Sequence, residues 1–443
     1  MEMKLGKYCT LLHLFFGYVF SEGTPLNTSS LQGCTASLNG ALTGSQPIDF
    51  HFSGVVRRHY IAAEEITWDY APTGFDNWLG VPFNLSPRAQ AANYTEFGTK
   101  WQKAVYRGYT DANFTTPAPQ PPWHGIQGPT IRAEVGDMIE ILFVNRLTDN
   151  FATLHSKGLA YDKQSEGTAY PNSTVPRQES PFGVHDAVPP GGCAVYKLFV
   201  NDGNAPPPGE PSILRGYQSF VSPEEDMNSG LLGPQIIYQR GMMNVTMATH
   251  REFVFQFMGY DESNAFMSEI NARAHHVNST STGPSIDDIS GHFNGNFSVW
   301  HPQITNLLSS GGMDMAPTFY AINGFVFANN PIFHMCLSDK VIWYVYSHGS
   351  ESHVFHMHGN NFNYLDVNYA TIGIDAGEML TLHMDAVDAG LWQVICMVSD
   401  HLSKGMVAFY QVHQGDCPLP PLMALNGSSV ANGTSSRRFR RHR

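Results

Sequence analysis

With 443 residues, of which 14% are charged, the chain has the length and apolar content for two or three packed domains. Its formal net charge of -13 argues against wholesale nucleic-acid binding and suits cationic partners such as metal ions. Helix-period stretches are scarce while short alternating runs between Gly and Pro turns are common, which excludes a helical bundle and predicts all-β sandwiches.

In chain order, residues 1–23 have the form of a signal peptide. Lys4 and Lys7 precede the apolar run Cys9 to Phe20, and Ser21, Glu22 and Gly23 follow as a cleavage region. No later stretch is long and apolar enough to span a bilayer, so a secreted chain with no membrane span is expected. Asn-X-Ser/Thr sequons at Asn27, Asn93, Asn113, Asn172, Asn244, Asn278, Asn296, Asn426 and Asn432 agree with export as a glycoprotein. Residues 24–50 read as a flexible lead-in rich in Gly, Ser and Thr. Ile61, Ile66 and Trp68 suit a first strand, and residues 71–100 a long loop. Trp123 to Asn145 reads as turn, strand, turn, strand; Ala194 to Val200 is another strand, and Gly230 to Gln239 closes the first half. A second half restarts at Glu252 and carries a long loop over 270–312. Its strands follow over Val341 to Tyr346, Gly390 to Val398 and Gly405 to Val412. The endings GLLGPQIIYQ and GMVAFYQV echo each other, which predicts two similar modules over 51–245 and 246–418. Residues 419–443 read as a disordered basic tail, its terminal RRFRRHR a solvated end rather than a processing site or a polyanion contact.

Six cysteines become five if Cys9 leaves with the signal. Cys336 and Cys417 bracket the strands of the second half and are expected to be bonded. Cys34 and Cys193 are left as the default second pair. That leaves Cys396, which begins the run C-M-V-S-D-H-L-S-K-G-M, with His401 and Met406 at intervals of five residues. His353 lies upstream, after a strand-like run. One thiolate, two imidazoles and a weak axial thioether are the ligands of a type 1 (blue) copper, which cycles between Cu(I) and Cu(II). The plain alternative is a buried free cysteine with unrelated neighbours.

The segments RHYIAAEEITWDYAP, YRGYTDANF, GIQGPTIRAEVGD, SEGTAYP, NSGLLGPQII and the copper run together resemble the ceruloplasmin and hephaestin family, whose modules also form the A domains of coagulation factors V and VIII. The resemblance covers roughly residues 57–415. It implies two tandem cupredoxin-like Greek-key domains, one pair where those proteins carry three. It also implies ferroxidase-type chemistry: iron(II) gives an electron to the type 1 copper, and a trinuclear cluster of one type 2 and two type 3 coppers reduces dioxygen. That cluster needs four His-x-His pairs. Here His356 and His358 form a full pair, while His155 has Lys157 in place of its partner. Ile395 and Met397 flank the copper cysteine, and Gln218 and Phe220 stand in the remaining positions. By resemblance, His155 and His356 would hold a type 2 copper and His358 a type 3 copper. Vestigial, hydrogen-bonded histidines are an equally weighted reading. In the family the two halves of the cluster come from different domain pairs, so a single pair would have to supply them across subunits; a head-to-tail cyclic homotrimer does this.

Asp400 and Glu351 are candidate iron-side acids next to the copper histidines, against the plainer reading that both are simply solvated. His275 and His276 are a candidate adventitious metal pair, and His348 and His383 are expected to be structural. The first module has no Cys-His-Met set and is expected to lack a type 1 copper. The expected function is electron transfer from iron(II) or another small reductant at Cys396, with the dioxygen-reducing cluster largely lost. A non-catalytic copper-binding module and a trimeric type 1/type 2 copper reductase are the alternatives.

Overall fold

A computed structural model describes residues 24–42, 46–168, 186–275 and 316–423. The expected signal segment, the basic tail from residue 424, and the sequons at Asn172, Asn278, Asn296, Asn426 and Asn432 lie outside the described residues.

The first half contributes β1 (Val56–Asp69), β2 (Lys100–Tyr109), β3 (Ile131–Glu134), β4 (Met138–Asn145), β5 (His155–Lys157), β6 (Ala160–Tyr161), β7 (Cys193–Phe199), β8 (Ser212–Gln218) and β9 (Leu232–Tyr238). They form two sheets, ordered β2-β1-β4-β7-β6 and β3-β9-β8-β5. The second half contributes β10 (Arg251–Asp261), β11 (Thr318–Ile322), β12 (Phe333–Cys336), β13 (Lys340–His348), β14 (His353–Met357), β15 (Phe362–Tyr364), β16 (Val367–Tyr369), β17 (Thr371–Ile374), β18 (Met379–Asp385), β19 (Gly390–Cys396) and β20 (Val407–His413). These form sheets ordered β11-β10-β13-β18-β15-β16 and β12-β20-β19-β14-β17.

The two halves repeat one topology. The first strand of each pairs antiparallel with the next and parallel with a later one: β1 with β2 and β4, β10 with β11 and β13. The last strand of each pairs parallel with a short early strand and antiparallel with its predecessor: β9 with β3 and β8, β20 with β12 and β19. The sandwiches are therefore a tandem pair of cupredoxin-like units, and the echo between GLLGPQIIYQ and GMVAFYQV is the shared closing strand. Apolar side chains alternate inward along these strands because successive residues face opposite sides of a sheet. Each sandwich encloses its own core, around Ile141 and Phe143 in the first and Phe255 and Trp343 in the second.

A third core joins the two units. Trp68, Tyr70, Tyr94 and Trp101 of the first half pack on Tyr260, Phe319 and Phe325 of the second. The Trp68 indole donates to the Gly324 carbonyl at 2.6 Å. Within this seam a fully buried Lys103 pairs with Glu262 at 2.7 Å, and the Tyr70 hydroxyl donates to the same carboxylate at 2.6 Å. Residues 71–100 carry short helical turns, including Pro87–Ala91 and Tyr94–Phe97, that cover this seam rather than a plain loop.

Residues 24–42 are more ordered than their composition suggests. Thr28–Ala36 is a helix, capped by the Asn27 side chain accepting from the Ser29 and Ser30 amides. The Cys34–Cys193 disulfide ties it to β7. The Cys336–Cys417 disulfide joins the end of β12 to the segment after β20. Cys396 is the one free cysteine among the described residues. Among those residues no helix is long and apolar enough to cross a membrane.

Candidate metal centre

The run HVFHM forms β14, and its burial alternates. His353, Phe355 and Met357 face the core, while Val354 and His356 face outward. One strand thus sends His353 and His356 to opposite sides of the sheet. Cys396 ends the neighbouring β19, its backbone opposite Phe355, and its side chain is fully buried on the inner face. Past Val398 the chain turns into a short helix, Ser399–Ser403, whose His401 side chain is directed back into the core. The Cys396 amide donates to the Met406 carbonyl at 3.1 Å, and the Met406 amide to the His401 carbonyl at 3.1 Å. The five-residue intervals are therefore one closed loop, with Met406 buried in the same core as Cys396.

Gly405 makes that loop possible. Its φ is +102°, and a Cβ there would stand 2.9 Å from the Phe327 ring. Only glycine combines that backbone with that approach.

Within the loop, Cys396 Sγ lies 3.7 Å from His353 Nδ1 and 3.6 Å from His401 Nδ1, and the two nitrogens are 3.1 Å apart. The circle through these three atoms has a radius of about 2.0 Å, close to a metal–imidazole bond and slightly short of a metal–thiolate one. The donor set is soft and mixed, as copper favours. Burial pushes the Cys396 thiol up, opposed by backbone amides of Val354 and Val398 that donate toward the sulfur. Burial pushes His353 down to about 3 and His401 also down, the Glu351 carboxylate opposing the second shift. Both imidazoles are therefore neutral at pH 7, the form that coordinates a metal.

The walls are aromatic. Phe257 stacks on His353 with ring centroids 5.1 Å apart, and Tyr320 stacks on His401 at 4.7 Å. Glu351 does more than the sequence suggested. Its carboxylate lies 2.8 Å from His401 Nε2, fixing the proton there and leaving Nδ1 free as a donor. It also accepts from the Tyr320 hydroxyl at 3.3 Å. Asp400 is exposed and paired with Lys404 at 2.7 Å. The roles of Glu351, Tyr320 and Phe257 carry no spacing signal; only the fold brings them to the loop.

The other candidate histidines are divided. The His356 and His358 rings are 5.1 Å apart on the outer face. His155, on β5, packs against Phe220. Among the described residues the one group of three or more converging His, Cys or acidic donors is His353, Cys396 and His401, so His155, His356 and His358 do not converge within one chain. The register explains the correspondence between modules: His155 lies opposite Gln218 on β8 as His356 lies opposite Ile395 on β19. Ser219 then occupies the place of Cys396, its hydroxyl donating to Asp226 at 2.6 Å. His155 Nδ1 donates to the Glu166 carbonyl at 2.6 Å and His356 Nδ1 to the Ala370 carbonyl at 2.8 Å. In each ring Nε2 is left as the free lone pair. His275 packs on Trp101 at 4.5 Å, while His276 lies outside the described residues. His383 bridges to Glu210, and the buried His348 contacts Lys157.

Several known proteins are similar to this chain. The sequence profile described as multicopper oxidase matches residues 299–416. Ferroxidase HEPHL1 of Mus musculus is 32% identical over 378 residues, covering 83% of this chain and 30% of its own length. Ceruloplasmin of Homo sapiens is 32% identical over 374 residues, covering 81% and 33%, and Homo sapiens hephaestin is 29% identical over 386 residues, covering 84% and 31%. The chain spans about a third of the length of these relatives. Similarity of this depth, sustained across four-fifths of the sequence, makes the chain a member of the multicopper oxidase family that includes hephaestin and ceruloplasmin.

Proposed function

We propose that the chain is an exported electron-transfer protein of ferroxidase type, in which His353, Cys396 and His401 hold a type 1 copper and Met406 serves as its weak axial ligand. The observation that carries this reading is the convergence of one buried sulfur and two imidazole nitrogens on a single centre. Copper bound there supplies one-electron chemistry between Cu(I) and Cu(II). The chain's own residues do the rest. Cys396 must lose its proton for the metal to bind, and the Val354 amide, 3.5 Å from the sulfur, supports the negative charge that remains. Phe257 and the buried core exclude water from the sulfur side. His401 reaches the surface through Glu351 and Tyr320, which makes its outer edge the entry for an electron from iron(II) or another small reductant. Glu351, half-exposed, offers the oxygen ligand that a hard cation prefers.

The cluster positions bearing Lys157, Gln218, Phe220, Ile395 and Met397 cannot supply imidazoles. Dioxygen reduction at a trinuclear cluster is therefore not part of the proposal, and no electron path from Cys396 through flanking histidines is available. A second reading has one specific support. His155 and His356 each donate Nδ1–H to a backbone carbonyl, the arrangement that readies Nε2 for a metal. A head-to-tail homotrimer that apposes these two faces would complete a type 2 copper site between subunits.

The test is to mix the copper-loaded chain with iron(II) while following colour and dioxygen. The proposal expects iron(II) to bleach the blue band with one electron per type 1 copper, and little coupled dioxygen uptake. A copper site that iron(II) and small organic reductants all fail to reduce would instead support a non-catalytic copper-binding module.

A further inference from the structure

Outside this centre, two histidines meet at the opposite strand end of the sheet that carries Cys396. His334 is on β12 and His413 ends β20, 79 residues later, with His334 Nδ1 and His413 Nε2 3.0 Å apart and ring centroids at 5.1 Å. Phe333 and Met335 alternate inward beside His334, and Val412 and Tyr410 inward beside His413. Both imidazoles therefore stand on the outer face of the sheet, His334 exposed and His413 half-buried. We propose that His334 and His413 form a second, surface metal site for a divalent late transition ion, Cu2+ or Zn2+, separate from the Cys396 centre.

Three observations carry this. Two imidazole nitrogens around one such ion, at bond lengths near 2.0 Å and angles between square and tetrahedral, stand about 2.8–3.3 Å apart. The observed 3.0 Å falls in that range and matches the 3.1 Å between the two nitrogens of the Cys396 centre. The pair is also held by its backbone. β12 and β20 run parallel with Cys336 opposite His413, and the Cys336–Cys417 disulfide clamps the same strand ends. The two donors are thus pre-positioned, so binding loses little side-chain freedom. Finally, the exposure of His334 leaves coordination positions open to water, and the net charge of -13 draws cations to the surface. An N–H···N hydrogen bond between the rings accounts for the same distance without a metal, and it is the alternative the experiment must separate. Imidazole donors and the affinity order of divalent ions favour Cu2+ over Zn2+ here.

The experiment is equilibrium dialysis of the full chain against Zn2+, and separately Cu2+, at neutral pH, with His334→Ala, His413→Ala and Cys396→Ser variants. The proposal expects each histidine variant to lose one bound equivalent at metal concentrations that saturate the parent chain. It also expects Cys396→Ser to keep that equivalent, and paramagnetic resonance of the Cu2+ form to lose a nitrogen-coupled signal in either histidine variant. Blue absorption retained in both histidine variants is the check that they are folded. Unchanged stoichiometry and affinity in the two histidine variants, or loss in only one of them, would overturn the paired site.

Discussion

Single atoms at the Cys396 centre set the first expectations. Cys396→Ser exchanges sulfur for a smaller, harder oxygen while keeping the buried volume nearly constant. It should remove any thiolate-to-copper absorption while leaving the thermal unfolding midpoint of the metal-free chain within a few degrees. Retained colour in the variant would refute the assignment. Glu351 acts through His401, so Glu351→Ala should weaken copper binding about 10–100-fold, the usual effect of removing a histidine's outer partner. Glu351→Gln, which can still accept through its amide oxygen, should recover much of that affinity in a competition titration. That Cys396, His401 and Met406 belong to one closed loop was legible in the sequence, because the three side chains recur at five-residue intervals and form a chemically coherent set. For Glu351 the sequence supports only a candidate iron-side acid or a solvated carboxylate, because nothing in linear order shows that it meets a histidine 50 residues on.

Strands and loops account for most of what the sequence did disclose. Alternation within HVFHM puts His353 inside and His356 outside, so a single pentapeptide sends its two histidines to opposite faces of the sheet. The closing strands β9 and β20 were recognisable by their shared ending, and their pairings repeat between modules. The helix Thr28–Ala36 was not recognisable, because a Ser- and Thr-rich segment has little intrinsic helix preference and the disulfide to β7 supplies the order. Residues 71–100 read as a loop because their helical turns are too short to show a period. Of the loop that carries His401 and Met406, Gly405 is the most sensitive position. Gly405→Ala meets both a left-handed backbone and the Phe327 ring, and should cost about 1–3 kcal/mol by chemical denaturation. It should also displace Met406 and so shift the copper potential. No loss of stability would show that the loop relaxes freely.

At the scale of the molecule, the two sandwiches stand or fall together. Lys103 and Glu262 are both fully buried in the seam between them, so removing one partner strands the other charge. Lys103→Met should cost about 3–5 kcal/mol, whereas replacing both residues with apolar ones of similar size should be close to neutral. Equal costs for the single and double changes would contradict that reading. Acid should act through buried neutral histidines. Burial holds His124 and His353 at about 4 and about 3, so the unfolded chain binds more protons than the folded one between there and pH 6.5. Stability must then fall as pH drops through that window. Asp226, pushed up to about 7 by burial, works in the opposite sense but is outnumbered. Denaturant midpoints of the metal-free chain at pH 7 and pH 5 check the sign, and a higher midpoint at pH 5 would refute it.

The most direct test of the whole account is the optical and paramagnetic spectrum of the copper-loaded full chain, taken with a copper count. The account predicts an intense thiolate charge-transfer band near about 600 nm that disappears with Cys396→Ser. Stoichiometric copper binding without that band would contradict the claim that Cys396, His353 and His401 share one metal ion.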